Sequence, residues 1–457
     1  MSAPTSAQVR KSITQLTATE LASLRKGYAQ MIAWNSAPAS SADFKRSLRF
    51  WANMHAYFGQ ACGPTSGLNN QGMSGLSAQT RSTPEELATW CTCVHGGVQF
   101  LTWHRMYLIY FEQVLQQAAG DPNLRLPFWD YQTDGTIPLA FRSPTYVNGN
   151  GQSVANPLYV ANRRAELNDG SASLTSTVTS TTAAMALTDY PSFNSSIEQT
   201  PHGAVHCASG VAGCNTGYMG AVPAAGNDPI FYTHHANIDR LYQCWLSVSP
   251  DLRLPASNLR GQQYSFINGQ GQLVTRVVGD MLTTDQLGYS YATGGGCPRS
   301  FIPPKFRLQS KWKRIFPPGP WRSEVPVVFP SDVTQRARSA KVAQLVIEEP
   351  VIERSFGGLV QVALQATDGR VVPLGVISGF NDTAPDHGHD TAAMATMQRE
   401  LRFDARDALI KAGPGAKVIL LPVQPIQSVN KARPLVRMSV TQRQVSVQAK
   451  SIRLETN

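Results

Sequence analysis

The sequence reads HGGVQFLTWHRMYL at residues 95–108 and DPIFYTHHANIDR at residues 228–240, and these two stretches decide the fold of the chain. Apolar residues recur in and around both of them at the spacing of an amphipathic helix. This pattern predicts helices over about 103–118 and 232–246. Each predicted helix carries or adjoins histidines, so the placement of these imidazoles is the first question that the sequence raises.

His95 and His104 would point to opposite sides if one continuous helix carried both, because they are nine residues apart. Gly96-Gly97 follows His95 directly and should interrupt the helix at that point. We therefore expect His95 to lie on a loop that folds back beside His104.

A third histidine, His55, belongs to an apolar stripe earlier in the chain. Phe44, Leu48 and Trp51 precede it at helical spacing, and Ser41 can cap the start of the segment. The stripe places His55 on the buried face of a helix, where it can join His95 and His104.

His202 and His206 are four residues apart, so they share one face of a helix. Thr200-Pro201 in front of them is typical of a helix start. Together with an imidazole from His234 or His235, they form a second set of three. Two sets of three imidazoles predict two metal sites, whereas the alternative of ordinary core histidines would need six separate explanations.

The length and composition of the chain limit its possible domain organisation and location. A chain of 457 residues with 42% hydrophobic residues should hold two or three domains. No apolar run reaches membrane-spanning length, and the polar N-terminus shows no signal or transit peptide, so a cytoplasmic protein is expected. Residues 301–457 hold 22 basic and 13 acidic side chains, which we interpret as a solvated surface and not as a nucleic-acid or membrane site.

Changes in composition and residue pattern along the sequence predict four segments. A mainly helical domain covers 1–255, with polar surface loops at 140–195, and a short β-containing joint covers 256–301. Residues 302–330 are Pro-rich and are predicted to be a linker. Beyond it, short β-branched runs separated by turns predict a β-sandwich-like C-terminal domain at 331–457.

The two opening stretches resemble the copper signatures of tyrosinases and polyphenol oxidases. LPFWDY at residues 126–131 is also typical of that family, and the joint and C-terminal regions are similar to those of the plant enzymes. The resemblance implies a four-helix-bundle core with two copper ions, held by two sets of ligands: His55, His95 and His104, and His202, His206 and His235. It further implies oxidation of small o-diphenols to o-quinones with O2 as co-substrate, with monophenols as a further substrate class.

The choice between His234 and His235 follows from the family pattern, which puts the ligand four residues before Asp239. His234 shares an apolar stripe with Ile238, which suits a packed or supporting role. Asp239 is then expected to orient neighbouring groups.

Other site residues are implied by the same resemblance. Cys93, two residues before His95, matches the cysteine that forms a thioether with the ligand imidazole, and it would account for one of an odd number of cysteines, seven in all. Glu198 matches a carboxylate that holds a water near the copper pair. Gly203 stands where strong monophenol hydroxylases often have Asn, and Val222 matches the gate residue over the first copper.

The C-terminal domain resembles the shielding domain of latent family members, which places one side chain in the copper pocket. Phe380 is our candidate for that side chain. His387 and His389 on the following segment are interpreted as part of a solvated loop.

Two other functions use related sites. A haemocyanin-like dioxygen carrier has the same copper pair, and catechol turnover would distinguish it from an oxidase. A dinuclear zinc hydrolase is disfavoured because zinc usually recruits a carboxylate or thiolate ligand.

Overall fold

The structure is a computed structural model, and it describes most of the chain outside the segments around 57–80, 298–311, 382–399 and 431–445. The described residues are 8–56, 81–90, 92–248, 253–297, 312–316, 321–322, 324–329, 332–340, 342–348, 350–352, 358–381, 400–430, 446–449 and 451–456. Cys62, Cys91, His387 and His389 therefore lie outside the described residues.

Helices dominate the N-terminal half of the protein. Their bounds are Ala18–Ala33, Ala42–Lys45, Leu48–His55, Pro84–Thr89, Phe100–Ala119, Leu139–Arg142, Ala165–Asn168, Ser176–Thr179, Thr182–Met185, Tyr190–Ile197, Ala204–Ser209, Val222–Ala225, Pro229–Val248 and Ser257–Arg260, with a π-helical segment at Glu198–Gly203. None of the helices in the described part of the chain combines the length and apolar character needed to cross a membrane.

The π-helical segment carries His202, and four of the α-helices carry histidines by which we name them. They are the His55 helix (Leu48–His55), the His104 helix (Phe100–Ala119), the His206 helix (Ala204–Ser209) and the His235 helix (Pro229–Val248). The predicted helices at 103–118 and 232–246 are confirmed, each a few residues longer than expected.

The predicted stripe before His55 is divided between two helices. Ser41 caps the short helix Ala42–Lys45, and Ser47 then caps the His55 helix by accepting from Phe50 N at 3.1 Å. Phe44 and His55 are nevertheless both buried. The periodicity indicated the buried face correctly, but a second capping serine changed the helix start.

Residues 140–195 are not the surface loops that their polar composition predicted. Short helices and strands form there, and Phe141, Leu158, Leu167 and Phe193 are fully buried. The Ser, Thr and Asn residues make turns and caps, while irregularly spaced apolar residues reach the core. Such spacing carries no periodic signal, so the sequence could not show this burial.

The joint contains the predicted hairpin, with strands Gln263–Ile267 and Leu273–Val277. After the hairpin, Ser290–Tyr291 pairs in parallel with Val9–Arg10 near the start of the chain. The joint therefore closes the helical domain by binding its N-terminal segment.

Asp239 of the second signature lies beneath this joint, and it does not contact a histidine side chain. Its carboxylate binds Arg105 Nε at 2.5 Å and accepts hydrogen bonds from Tyr289 and Tyr291. Arg10 approaches at 3.6 Å. Burial opposes ionisation, but the two arginines outweigh it and hold the pKa of Asp239 below its usual range. The groups that Asp239 orients are thus Arg105 and the two tyrosines, through which it fastens the joint to the helices.

The C-terminal domain is a sandwich of two sheets around its own core. The four-stranded sheet has the order Glu400–Asp404, Ala343–Glu348, Ser451–Thr456, Trp312–Phe316. The seven-stranded sheet has the order Val351–Ile352, Ser446–Gln448, Trp321–Arg322, Glu324–Val328, Lys417–Pro422, Leu359–Gln365, Val371–Ser378. Helices Val333–Ser339 and Arg406–Ala412 accompany the sheets.

The Pro-rich segment 302–330 differs from the predicted linker, because three of its stretches are strands of this sandwich. Trp312–Phe316 pairs with the C-terminal strand, and Glu324–Val328 pairs with Lys417–Pro422 through an irregular register. A proline is tolerated in a strand at such an irregularity, since it cannot donate to the ladder. Composition alone could not reveal the distant pairing partners.

The C-terminal domain also contributes apolar residues to the core of the helical domain. Leu359, Val376, Phe380 and Ile426 of the C-terminal domain belong to the core cluster of the helical domain. A strand at Ile426–Ser428 also pairs with Ala172–Leu174. The sandwich is therefore fixed on the face that carries the histidines.

The Asp239 cluster gives a test of the fold. We expect Asp239→Asn to lower the free energy of unfolding by about 3–5 kcal/mol, because it leaves Arg105 buried without its ionic partner. Urea unfolding monitored by circular dichroism measures this change. Asp368→Asn, which removes an exposed partner of Arg370, serves as the control and should leave the midpoint unchanged. Equal midpoints for both variants would contradict this role of Asp239.

Candidate metal centre

Two groups of side chains, all buried except the partly buried His95, meet where the four named helices, the π-helical segment and the loop at 93–95 converge. In each group the potential ligand atoms all lie within 4.8 Å of one another; the groups are His55, Cys93, His95 and His104, and His202, His206, His234 and His235. The structure thus brings together every histidine that the sequence analysis placed in a metal site.

Main-chain carbonyls fix the orientation of four of these imidazoles. Because a carbonyl only accepts, each Nδ1 must donate to it, which leaves Nε2 deprotonated and available to a metal. The contacts are His55 Nδ1 to Val222 O at 3.2 Å, His104 Nδ1 to Phe100 O at 2.7 Å, His202 Nδ1 to Glu198 O at 3.0 Å and His206 Nδ1 to Met219 O at 2.7 Å.

The Nε2 atoms are aimed at the interior of the cluster. Among the described residues, Nε2 of His55 and Nε2 of His202 have no hydrogen-bond partner although both are buried. An unpaired buried nitrogen costs free energy, and a metal ion would satisfy it. The donor set therefore fits a metal pair.

His95 reaches the first group from a loop, as its glycine neighbours predicted. Gly96 has a φ of 74°, a left-handed conformation that glycine adopts readily and that turns the chain directly after His95. The ring centroid of His95 lies 4.9 Å from that of His55 and 5.3 Å from that of His104.

His234 and His235 both lie beside the second group. The His235 ring lies 4.5 Å from that of His104 and 6.0 Å from that of His55, and its Nε2 is 3.4 Å from His206 Nε2. The His234 ring lies 4.7 Å from that of His206 and 5.6 Å from that of Tyr131. His235 thus contacts rings of both groups, and its choice over His234 as the ligand stays a prediction.

Burial keeps the cluster uncharged. Desolvation lowers the pKa of His104 to about 3, and desolvation followed by the neighbouring imidazoles holds the pKa values of His55, His202, His206 and His235 well below 6.5. Neutral imidazoles carry the free lone pair that a metal needs, so the site is ready for metal at neutral pH.

The chemistry of the donors fits copper better than zinc. Both groups offer imidazole nitrogens and no carboxylate oxygen. Imidazole suits copper, while zinc sites of this kind usually include a carboxylate or thiolate. The first group also contains the Cys93 thiol, whose pKa is raised by burial.

Cys93 is placed beside two imidazoles. Its Sγ lies 3.7 Å from His95 Nδ1 and 3.5 Å from His104 Nε2. Of the cysteines that the structure describes, Cys93 is the one outside a disulfide. This proximity is consistent with the predicted thioether to His95.

Glu198 connects the two groups. It is buried, and its Oε1 accepts a hydrogen bond from Gly96 N at 2.6 Å, next to His95. Its own carbonyl orients His202 one turn further along. A carboxylate is thus held between the loop of the first group and the helix of the second.

Val222 and Phe380 lie on opposite parts of the cluster. Val222 begins a short helix, is buried, and offers its carbonyl to His55. Phe380 follows the strand Val371–Ser378 of the C-terminal domain and stacks on His206, with centroids 3.9 Å apart and planes at 12°. The C-terminal domain therefore contributes a side chain to the wall of the histidine cluster.

Two aromatic residues in the cluster were not singled out from the sequence. Phe100 lies 4.6 Å from both His104 and His202, and Phe231 lies 4.3 Å from His235. Each phenylalanine stands four residues before the histidine that it supports, and that spacing was a usable signal.

The disulfides were also not predicted as pairs. Cys207–Cys214 closes the loop after the His206 helix, and Cys244–Cys297 joins the His235 helix to the end of the joint. The irregular cysteine spacing left several pairings open.

Two facing groups of imidazoles inside a helical domain form the arrangement expected of a protein with a dinuclear metal centre. Residues 45–169 and 155–248 match the family model described as the common central domain of tyrosinase. The part of the chain that carries the six predicted ligands is therefore similar to the central domain of tyrosinases.

Several curated relatives agree with this assignment. The chain is 32% identical over 232 residues to the tyrosinase HcTyr1 of Hahella sp. (strain CCB-MM4), covering 44% of this chain and 48% of the relative. It is 29% identical over 224 residues to a chloroplastic polyphenol oxidase of Malus domestica, covering 43% of this chain and 38% of the relative. The match thus spans about half or less of each relative.

Solved structures extend the fold similarity to the whole chain. A latent aurone synthase has a TM-score of 0.61 at 19% identity, covering 98% of this chain and 89% of that one. Latent apple tyrosinase has a TM-score of 0.57 at 18% identity, covering 100% and 97%. The helical domain with its C-terminal sandwich is therefore a known architecture.

The metal assignment predicts a copper stoichiometry. We expect the copper-loaded chain to hold two copper ions and His206→Ala to hold one, because His206 would supply one of three nitrogens to the second ion. His234→Gln is the matched control and should retain two. Metal analysis by mass spectrometry measures both. Two ions in His206→Ala, or one in His234→Gln, would contradict the ligand assignment.

The Cys93 contact predicts a covalent bond. In copper-loaded protein exposed to O2, we expect the Cys93 and His95 side chains to be joined, with loss of one hydrogen from each and O2 as the oxidant. Peptide mapping should recover one cross-linked peptide that is absent from Cys93→Ser. Recovery of Cys93 as a freely alkylated residue from fully metal-loaded protein would refute the thioether.

Proposed function

We propose that this protein is a copper-dependent phenol oxidase that converts small o-diphenols to o-quinones. The observation that carries the proposal is the pair of imidazole groups, whose Nε2 atoms face one another while carbonyls hold Nδ1. Two o-diphenols and one O2 would give two o-quinones and two waters. A bound copper pair would supply the electron transfer between the phenol and O2.

The chain itself would supply the position of the substrate and a proton acceptor. Glu198 is the acceptor we favour, since its carboxylate is buried between the two groups and is held by Gly96 N. It would take the proton of a phenol hydroxyl through a water. The aromatic rings of Phe100 and Phe231 would keep the imidazoles from rotating and bulk water from entering.

Two residues bear on the substrate range. Val222 is small for a gate and would admit phenols of some bulk, whereas Gly203 after His202 offers no amide to assist hydroxylation. We therefore propose o-diphenol oxidation as the main activity, with monophenol hydroxylation weaker.

We also propose that the intact chain is latent. Phe380 stacks on the His206 ring and lies 5.5 Å from His202 and 6.2 Å from His95, in contact range of imidazoles from both groups. A phenol ring approaching the metals from this side would meet the Phe380 ring. Displacement of the C-terminal domain, by proteolysis or by mild acid or detergent, would then open the site.

A dioxygen carrier with the same copper pair is the alternative. The named relatives above are oxidases, which favours turnover over carriage. A hydrolase with zinc is disfavoured because neither donor group includes a carboxylate.

Catechol turnover tests the oxidase and its latency together. We expect the copper-loaded full chain to oxidise catechol slowly and Phe380→Ala to oxidise it at least several-fold faster, because truncation of the ring opens the space beside His206. Spectrophotometric detection of the o-quinone measures the rate, and copper content should stay at two in both proteins.

Leu364→Ala provides the control, since Leu364 is buried in the core of the C-terminal sandwich and not in the histidine cluster. If Leu364→Ala activates as much as Phe380→Ala, loosening of the domain and not removal of the ring would explain the gain. Copper-replete protein that binds O2 reversibly but never turns over catechol would identify a carrier.

A further inference from the structure

Gly203, the residue after His202, lies in direct contact with the C-terminal domain. A Cβ atom placed on Gly203 would lie 2.5 Å from Ser378 Oγ and 3.0 Å from Ser378 Cβ. The first distance is shorter than real side chains tolerate. Every residue other than glycine at position 203 would therefore push against Ser378.

The backbone of Gly203 does not itself require glycine. Its φ of −63° and ψ of −31° are ordinary helical values, which alanine adopts more readily than glycine does. The nearest obstacle to a side chain at this position is instead Ser378, followed by Glu198 O, which a Cβ atom would approach to 3.2 Å.

Ser378 has little freedom to move away. Its backbone N donates to Gln199 Oε1 at 2.9 Å, and its Oγ accepts from Phe380 N at 3.1 Å. Two residues earlier, Val376 O accepts from Thr200 Oγ1 at 3.0 Å. The strand end is fastened to the segment that carries Glu198 and His202, and a rotation of the Ser378 side chain would release the backbone of Phe380.

We propose that Gly203 is the latch through which the C-terminal domain closes the histidine cluster: the absence of a side chain at 203 is what lets the strand Val371–Ser378 bring Phe380 onto His206. This inference rests on the proposed function only where it speaks of phenol access. The closure itself is a packing relation between two domains. A methyl group at 203 would move the strand end outward and Phe380 with it.

A second glycine contact lies next to the first. A Cβ on Gly358 would lie 2.3 Å from Cys214 Sγ, and Gly358 O accepts from Gly379 N at 2.7 Å. Gly358 has a φ of +73°, so a substitution there would strain the backbone as well as the contact. Gly203 is therefore the position at which the contact alone can be tested.

The test uses the full-length, copper-loaded chain with the variant Gly203→Ala. We expect catechol oxidation without any activating treatment to rise at least five-fold. We also expect hydrogen exchange of the Ser378 amide to accelerate at least ten-fold, since its bond to Gln199 is loosened. Copper content should remain at two per chain.

Ser378→Gly and the double variant Gly203→Ala/Ser378→Gly complete the cycle. Removing the Ser378 side chain makes room for the new methyl group. Adding Gly203→Ala to Ser378→Gly should therefore change the rate of catechol oxidation and the hydrogen exchange of the amide at position 378 by less than two-fold. Gly261→Ala is the matched control, because a Cβ there meets nothing nearer than 3.7 Å, and it should behave as the parent.

The outcomes separate the two proposals. Copper-replete Gly203→Ala in which the Ser378 amide exchanges as in the parent would overturn the latch. The latch would also be overturned if Gly203→Ala accelerated this exchange equally in the Ser378→Gly background, or if Gly203→Ala lost a copper ion. If Gly203→Ala alone were insoluble, failure of the double variant to restore soluble protein would also overturn it. Exchange that changes as expected, without catechol turnover in any variant, would retain the latch and refute the oxidase.

Discussion

Hydrogen bonds from histidine Nδ1 to main-chain carbonyls are the interaction on which the rest of the structure depends. His104 and His202 each bond the carbonyl four residues earlier in the chain, within one helical turn. His55 and His206 instead depend on Val222 and Met219, which are distant in sequence. The cluster therefore forms only when the helices and the segment 219–222 are assembled, and burial then holds the pKa values of these four imidazoles low.

The charged residues of the two signatures support this assembly from outside the cluster. Arg105 follows His104 and binds Asp239, four residues after His235, so one ion pair joins the two helices that carry these histidines. Arg163 binds Asp228 at 2.7 Å and fixes the start of the His235 helix. Such buried pairs are costly to break, and they hold the imidazoles at the separations that a metal pair needs.

The C-terminal sandwich is both an independent structure and part of the site. Its strands enclose their own core, yet Phe380 lies in the core of the helical domain. The glycine at 203 and the polar contacts of Gln199 and Thr200 bring the strand end against the segment that carries His202. If the intact chain is latent as proposed, the same few contacts would govern both the domain interface and access to the histidine cluster.

The sequence by itself determined the helices around His104 and His235 and indicated that histidines from separate segments come together, because helical periodicity and gapless motifs are local properties. Tertiary structure alone decided the burial of residues 140–195, the strands within 312–328, the partners of Asp239 and the two disulfides. Each of these depends on contacts between residues far apart in the chain, which leave no periodic trace in it. The nearness of Ser378 to Gly203 is of the same kind: a glycine in a helical conformation is explained only by what lies across the interface.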